Sequence, residues 1–490
     1  MNTQQIGFFA GLAIFITMLI MPAPTDMAPA AWKVAAIALL MATWWITEAI
    51  PLPATSLLPI VLFPLLQIMD SRTTTLSYAD PVIFLFMGGF FLAVTMERWN
   101  LHRRIALFIL RLAGDSPSRL ILGFIASTTV LSMWISNTAT AVMMVPIGIS
   151  VIAQVKSNGD TVDEKQKKQE SNFAKSLMLA IAYTASIGGF ITIIGTPPNV
   201  ILAGIMERMY DIRIGFAQWM MLSVPISLTM LIIMYFLLTK VLFPTGDLRF
   251  SSGKAFIDSE MKKLGAITNP EKMVLLIGGL MAICWMFRDL IVRIPGLSMV
   301  TDTTIAIAGS LLLFLCPTFQ GNMNKKLLDW KTAVKIPWNI VLLFGGGLTL
   351  ASGFERTGLA TWVSGNMQNP AHIDLLLFVF ITVLVVNILT EFMSNTAIAT
   401  LFIPVMATTA IAIGLHPFAA AIPTAVVASF SFMMPHATPP NAIAFGSGYL
   451  RMKDMATAGI TLNVMGQIVC TLAIVYLLGW VWGVNLTVVP

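Results

Sequence analysis

Charge is what this sequence lacks most. Only 11% of its 490 residues are charged, against 57% hydrophobic, and mean hydropathy is +0.84. A soluble core cannot take up that much apolar surface, so the chain reads as an all-α integral membrane protein. Cysteine is scarce too: Cys284, Cys316 and Cys470 lie in apolar stretches with no CxxC pair or Cys/His cluster, which excludes a disulfide framework or a thiolate metal site. The four histidines, His102, His372, His416 and His436, are dispersed without metal spacing. With no nucleophile–base pair and no Glu/His metal set visible, an intramembrane enzyme is disfavoured. No basic segment precedes the first apolar run, which therefore reads as a span and not as a cleavable signal. Two long stretches, 120–155 and 373–449, contain no Lys or Arg at all.

Inside those two stretches one motif is written twice. Ser136, Asn137, Thr138, Ala139, Ala141 and Pro146 recur 258 residues later as Ser394, Asn395, Thr396, Ala397, Ala399 and Pro404. A second pair follows, Gly195-Thr196-Pro197-Pro198-Asn199 and Ala437-Thr438-Pro439-Pro440-Asn441, at an offset of 242. Further matches at 258, among them Phe86/Phe344, Gly88/Gly346 and Glu97/Glu355, extend the repeat to whole halves. The shortfall in offset places an insertion in the first half, at the hydrophilic stretch 156–175, which reads as a surface loop. Polar, helix-breaking tips duplicated in an apolar chain are the sequence signature of a transporter with internal repeats and a binding site between them.

Spans of about 20 apolar residues fit near 6–23, 33–50, 52–69, 81–97, 178–206, 219–243, 273–290, 302–317, 337–354, 418–448 and 457–484, about 11 transmembrane helices. The segments 118–155 and 373–413 fit differently. Each is cut by its Ser-Asn-Thr tip into arms of roughly 15 residues, about 22 Å at 1.5 Å per residue, short of a ~30 Å hydrocarbon core. They read as re-entrant hairpins with buried tips, the alternative being two ordinary spans with a polar kink. Of 29 basic residues, a cytoplasmic N-terminus leaves only seven outside (Lys33, Arg72, Arg208, Arg213, Arg288, Arg293 and Arg356) and 22 inside. The first hairpin then opens inward and the second outward, so the repeats are inverted. The C-terminus falls outside, in a cytoplasmic (inner) membrane. Topology accounts for the net charge of +6, with no nucleic-acid partner required.

The paired tips, the two Thr-Pro-Pro-Asn breaks and the segment Trp45-Ile46-Thr47-Glu48-Ala49-Ile50-Pro51 resemble the divalent anion/sodium symporter family, whose members carry di- and tricarboxylates or sulfate. The resemblance covers nearly the whole chain. It implies a homodimer working as an elevator: a fixed scaffold of spans 1–4 and 7–9, and a mobile unit of the hairpins and the broken spans after them. The domains are then 1–80 (first scaffold part), 81–243 (first repeat, broken span 178–206), 244–336 (cytoplasmic loop and scaffold spans) and 337–490 (second repeat, broken span 418–448 and a final span).

The resemblance also implies two sodium sites, one of Ser132, Ser136, Asn137 and the backbone at Gly195, the other of Thr390, Ser394, Asn395 and the backbone at Ala437. If only carbonyls bind, Gly195 against Ala437 matters little. Asn137, Thr138, Asn395, Thr396, Thr438 and Pro439 would hold the substrate carboxylates. The residues themselves allow a plainer role, since Ser, Asn and Thr commonly cap half-helices. Glu48 and Glu391 are open between proton relay and capping, and His436 between substrate contact and a helix-end hydrogen bond. The expected activity is sodium-coupled inward symport of a C4-dicarboxylate such as succinate, malate or fumarate. Sodium-independent exchange, or carriage of citrate or sulfate, is the alternative on the same fold.

Overall fold

The computed structural model describes residues 2–114, 116–155, 164–246, 253–319, 325–366 and 374–489. Among the described residues the chain is helical throughout, apart from one isolated bridge between Pro317 and Lys326. The elements that matter here are α1 (Thr3–Ile20), α2 (Pro29–Thr47), α3 (Pro81–Arg98), α4 (Leu101–Ala113), α5 (Pro117–Ser132), α6 (Asn137–Val155), α7 (Glu164–Gly189), α8 (Pro197–Tyr210) and α9 (Phe216–Phe236). They continue as α10 (Gly253–Leu264), α11 (Asn269–Met286), α12 (Asp302–Leu315), α13 (Trp338–Arg356), α14 (Leu375–Thr390), α15 (Asn395–Ala412), α16 (Phe418–Val427), α17 (Pro439–Gly446) and α18 (Met452–Trp482). Among the described residues seven helices are long and apolar enough to cross a membrane, or eight if the pair α10/α11, bent by 100°, counts as one.

Three expectations change. The stretch 52–69 is not one helix but two short ones, Leu52–Thr55 and Leu58–Leu65, because prolines at 51, 53 and 59 keep restarting the backbone. The inserted stretch is only partly loop: α7 begins at Glu164, so its first three turns lie within the stretch, and 156–163 falls outside the described residues. The second arms of the hairpins, α6 and α15, run 19 and 18 residues and are therefore long enough to span. What makes each pair a hairpin is the four-residue turn, 133–136 or 391–394, that folds one arm back on the other. Both tips lie against the breaks between α7 and α8 and between α16 and α17, with Asn137 beside Gly189 and Asn395 beside Ser431.

Around α7, whose residues from Ser176 to Gly189 are all buried, hairpin 1, both broken helices, α9 and α18 share one apolar core. A smaller core joins α2, the short helices after it and α13. The Gly345-Gly346-Gly347 run serves close packing, as a Cβ on Gly346 would collide with the backbone of Ser56. At the far edge, α4 buries Leu101, Ala106, Leu107 and Leu110 while Arg103, Arg104 and Arg111 pair with Glu260, Glu271 and Asp258 on α10 and α11.

Candidate functional site

Each hairpin tip builds a knot of oxygens with too few protons. In the first half the Ser132 hydroxyl lies 2.8 Å from Asn137 Oδ1 and 2.6 Å from the Ala185 carbonyl, so three oxygens share one proton. In the second half Thr390 Oγ1 lies 2.8 Å from the Ala428 carbonyl, 2.8 Å from Ser431 Oγ and 3.0 Å from Asn395 Oδ1, and Ser431 Oγ lies 3.1 Å from that Asn395 oxygen. Four oxygens share two protons there. A hydrogen-bond network balances donors against acceptors, whereas a hard cation asks for the acceptor excess found at both tips.

The backbone explains why these oxygens converge. The helices α5, α14, α7 and α16 end at the tips and breaks and leave carbonyls without an intrahelical partner. The helices α6, α15, α8 and α17 begin there and leave N–H groups without an intrahelical partner, at positive dipole ends. The Thr-Pro-Pro-Asn motifs make the second set of starts: Thr196 and Thr438 are extended N-caps followed by Pro at the first helical position. Their asparagines then clamp the break behind them. Asn199 Nδ2 donates to the Phe190 and Thr192 carbonyls at 3.1 and 2.8 Å, and Asn441 Nδ2 to the Ser431 and Met434 carbonyls at 2.9 and 3.1 Å.

Between the tips lies a cavity of about 720 Å³. It is lined by Ser136, Asn137 and Thr138 from one tip, by Ser394, Asn395 and Thr396 from the other, and by the starts of both broken segments, Gly195 to Pro197 and His436 to Pro440. Trp45 to Glu48 close it from α2, and among the described residues no lysine or arginine lines it. Thr138 and His436 are exposed to this space. Ser132 and Thr390 are not in the lining, being fully buried beneath the tips. The structure thus brings the sequence-predicted residues together in two layers, with hydroxyls and Asn oxygens below and Asn and Thr faces above. Ser136 also acts as a cap, its hydroxyl 3.3 Å from the Ala139 N–H.

Ser431 and Gly189 escaped the sequence reading, and the surroundings of Gly195 and Glu391 were not foreseen. Ser431 adds a hydroxyl to the second knot, and its equivalent at the 242 offset is Gly189, where a Cβ would overlap Asn137 Oδ1. Aligning the two breaks residue by residue would have shown that pair. Gly195 is not interchangeable with Ala437 after all: a Cβ there would overlap the Gly189 carbonyl and crowd that of Ser132. Glu391 caps the backbone of the second break. Buried at 2% exposure, its carboxylate accepts from the backbone N–H groups of Phe432, Met433 and Met434 at 2.8–3.1 Å and from Asn463 Nδ2 at 2.7 Å. The equivalent residue at the 258 offset is Met133, whose carbonyl accepts from Thr192.

Comparison with known proteins agrees with this architecture. The family model described as sodium:sulfate symporter transmembrane region matches residues 2–489. The chain is 38% identical over 487 residues to the sodium-dependent dicarboxylate transporter SdcS of Staphylococcus saprophyticus, covering 99% of this chain and 93% of that one. Against SdcS of Staphylococcus aureus strain USA300 it is 40% identical over 490 residues, with the same coverage. Two solved transporter structures share the fold: MtrF of Neisseria gonorrhoeae (TM-score 0.58, 11% identity, 99% of this chain and 96% of that chain) and YdaH of Alcanivorax borkumensis (0.55, 12%, 93% and 99%). The chain belongs to the sodium:sulfate symporter family, and is a membrane transporter, not an enzyme.

Proposed function

We propose that this protein is a secondary active transporter that moves C4-dicarboxylates of the succinate, malate and fumarate class across the cytoplasmic membrane with sodium. The observation that carries the reading is the pair of proton-poor oxygen knots flanking a cavity with no fixed cation. A dianion placed between the tips meets Asn137, Thr138, Asn395, Thr396 and the Thr438-Pro439 start as neutral donors, together with four helix N-termini. Formal positive charge has to come from elsewhere. Sodium ions held just beneath, one by Ser132, Asn137 and the carbonyls around Gly195, one by Thr390, Asn395, Ser431 and the backbone near Ala437, supply it. Ser136 and Ser394, at the turns beside the knots, complete the two ligand sets. Substrate and sodium then need each other: without the ions the dianion sees no countercharge, and without the dianion two cations sit together in low dielectric.

The SdcS names of the relatives favour dicarboxylate over sulfate as cargo. Transport by elevator motion of a homodimer follows the resemblance to the family, with the smaller core around α2 and α13 as part of the scaffold. With a cytoplasmic N-terminus, the cavity reaches the cytoplasmic end of α1 at Gln4 and of α2 at Thr47, which makes the conformation inward-facing. The test is uptake into proteoliposomes with an imposed sodium gradient and no internal anion. Concentrative succinate uptake that sulfate and citrate fail to inhibit is expected. Uptake that needs a counter-anion and ignores sodium would make the protein an exchanger.

A further inference from the structure

The two hairpin tips carry one more pair of equivalent residues, and the fold treats them oppositely. At the 258 offset Trp134 corresponds to Phe392. The Trp134 ring packs against Trp285 in the last turn of α11 and Phe216 at the start of α9, with centroids 6.5 and 6.3 Å away and interplanar angles of 12° and 22°. Phe216 and Trp285 are themselves stacked at 5.0 Å and 17°. These separations lie in the range of favourable offset-stacked pairs. Phe392, by contrast, is 64% exposed on the cavity wall, and among the described residues no ring stacks on it.

The stack crosses the boundary between the two units of the elevator reading. Trp134 belongs to hairpin 1 of the mobile unit, and Phe216 opens α9, which packs on α7 and α18. Trp285 belongs to span 7 of the scaffold, where its Nε1 donates to the Asp302 carbonyl of α12 at 2.9 Å and so orients the ring. A second contact crosses the same boundary. Arg208 Nη1, in the last turn of α8, lies 3.5 Å from Asp80 Oδ2, while Asp80 Oδ1 accepts from the Val82 N–H at 3.0 Å at the start of α3. With a cytoplasmic N-terminus, Arg208 and Arg288, three residues past Trp285, lie outside, whereas the cavity reaches the inner ends of α1 and α2. Ring stack and ion pair therefore close the side opposite the opening.

We infer that Trp285 latches the first tip: the stack, aided by the Arg208–Asp80 pair, holds this conformation shut on its outer side, and the stroke to the opposite conformation parts Trp134 and Phe216 from Trp285 while Phe392 gains a scaffold contact. The inference rests on the elevator reading above. Inverted repeats exchange roles when one unit moves against the other, so the tip left free in one conformation is the tip docked in the next. Stacking then biases the balance between conformations without touching substrate or ion.

The test reads that balance as the ratio of inside to outside labelling of His436→Cys by a membrane-impermeant thiol reagent, in a background without Cys284, Cys316 and Cys470, with and without sodium and succinate. Trp285→Ala should lower the ratio about two- to tenfold, the weight of a stacked aromatic pair. Asp80→Asn, which keeps an acceptor for Val82 and removes the charge, should lower it less. Phe392→Ala should raise it, because only the opposite conformation loses a contact. An unchanged ratio in Trp285→Ala, or shifts of the same sign in Trp285→Ala and Phe392→Ala, would overturn the latch while leaving the moving unit in place. A parent protein whose ratio ignores sodium and succinate would instead remove the moving unit, and the latch with it. Should Trp285→Ala fail to fold, Phe392→Ala, whose ring is already exposed, still decides: a ratio that does not rise overturns the inference.

Discussion

Gly189 and Ser431 occupy equivalent positions, yet one is the only residue small enough to admit Asn137 and the other donates a hydroxyl to Asn395. Replacing Gly189 by Ala therefore drives a methyl onto the Asn137 oxygen without replacing any proposed ligand. It should abolish the thermal stabilisation that sodium gives the purified protein, as should Asn137→Ala and Asn395→Ala, with folding retained. Sodium-dependent stabilisation at the wild-type level in Gly189→Ala would break the link between that oxygen and the ion. Ser431→Ala removes one of four oxygens and should only raise the sodium requirement severalfold. The threonines above the knots belong to the substrate layer: Thr138→Val or Thr396→Val leaves an acceptor on the substrate unpaired, at ~1–3 kcal/mol, or about five- to 150-fold in affinity. Isothermal titration should find that loss in succinate binding with sodium binding near wild type.

At the scale of elements, the breaks were legible because their chemistry is local. Pro197 and Pro439 forbid helix continuation, and the Ser-Asn-Thr turns interrupt apolar runs, so the tips and the breaks fall where the sequence places them. Less legible was everything that depends on what lies opposite. Ser431 reads as one small polar residue among many until Thr390 is seen beside it, and Glu391 lies between relay and cap until three backbone N–H groups are found around it. Helix lengths near 52–69 failed for a different reason: hydropathy counts apolar residues and is blind to proline spacing. The α4–α11 corner was equally invisible, since its partners are over 160 residues apart. Arg104 grips Glu271 at 2.6 and 3.2 Å and also reaches the Leu264 and Gly265 carbonyls, fixing the 100° bend between α10 and α11. Both side chains are nearly buried, so Arg104→Ala strands a carboxylate and should cost about 3–5 kcal/mol. A clear fall in melting temperature is the expected readout, and a melt unchanged from wild type would show the corner to be held by packing alone.

For the whole molecule, the decisive matter is which side each half faces and whether the halves move. Lys165 in the first turn of α7 and Arg213 just after α8 lie at opposite ends of one broken helix pair. Inverted repeats with a cytoplasmic N-terminus place the first inside and the second outside. In a background without Cys284, Cys316 and Cys470, a membrane-impermeant thiol reagent should label Lys165→Cys only from the cytoplasmic face and Arg213→Cys only from the outside. Motion needs a reporter in the cavity. Ala141 near the first tip is fully buried, so it reports poorly, whereas His436 is exposed and lines the cavity beside the second break. If the cavity now reaches the cytoplasmic ends of α1 and α2, His436→Cys should be labelled from the inside in sodium-free buffer. Sodium with succinate stabilises whichever states bind both, so the ratio of inside to outside labelling at this position should change when they are added. Outside labelling of position 165 would reverse the orientation, and a His436→Cys labelling ratio blind to sodium and succinate would argue for a rigid site that opens by gating loops instead of by displacement of the tips.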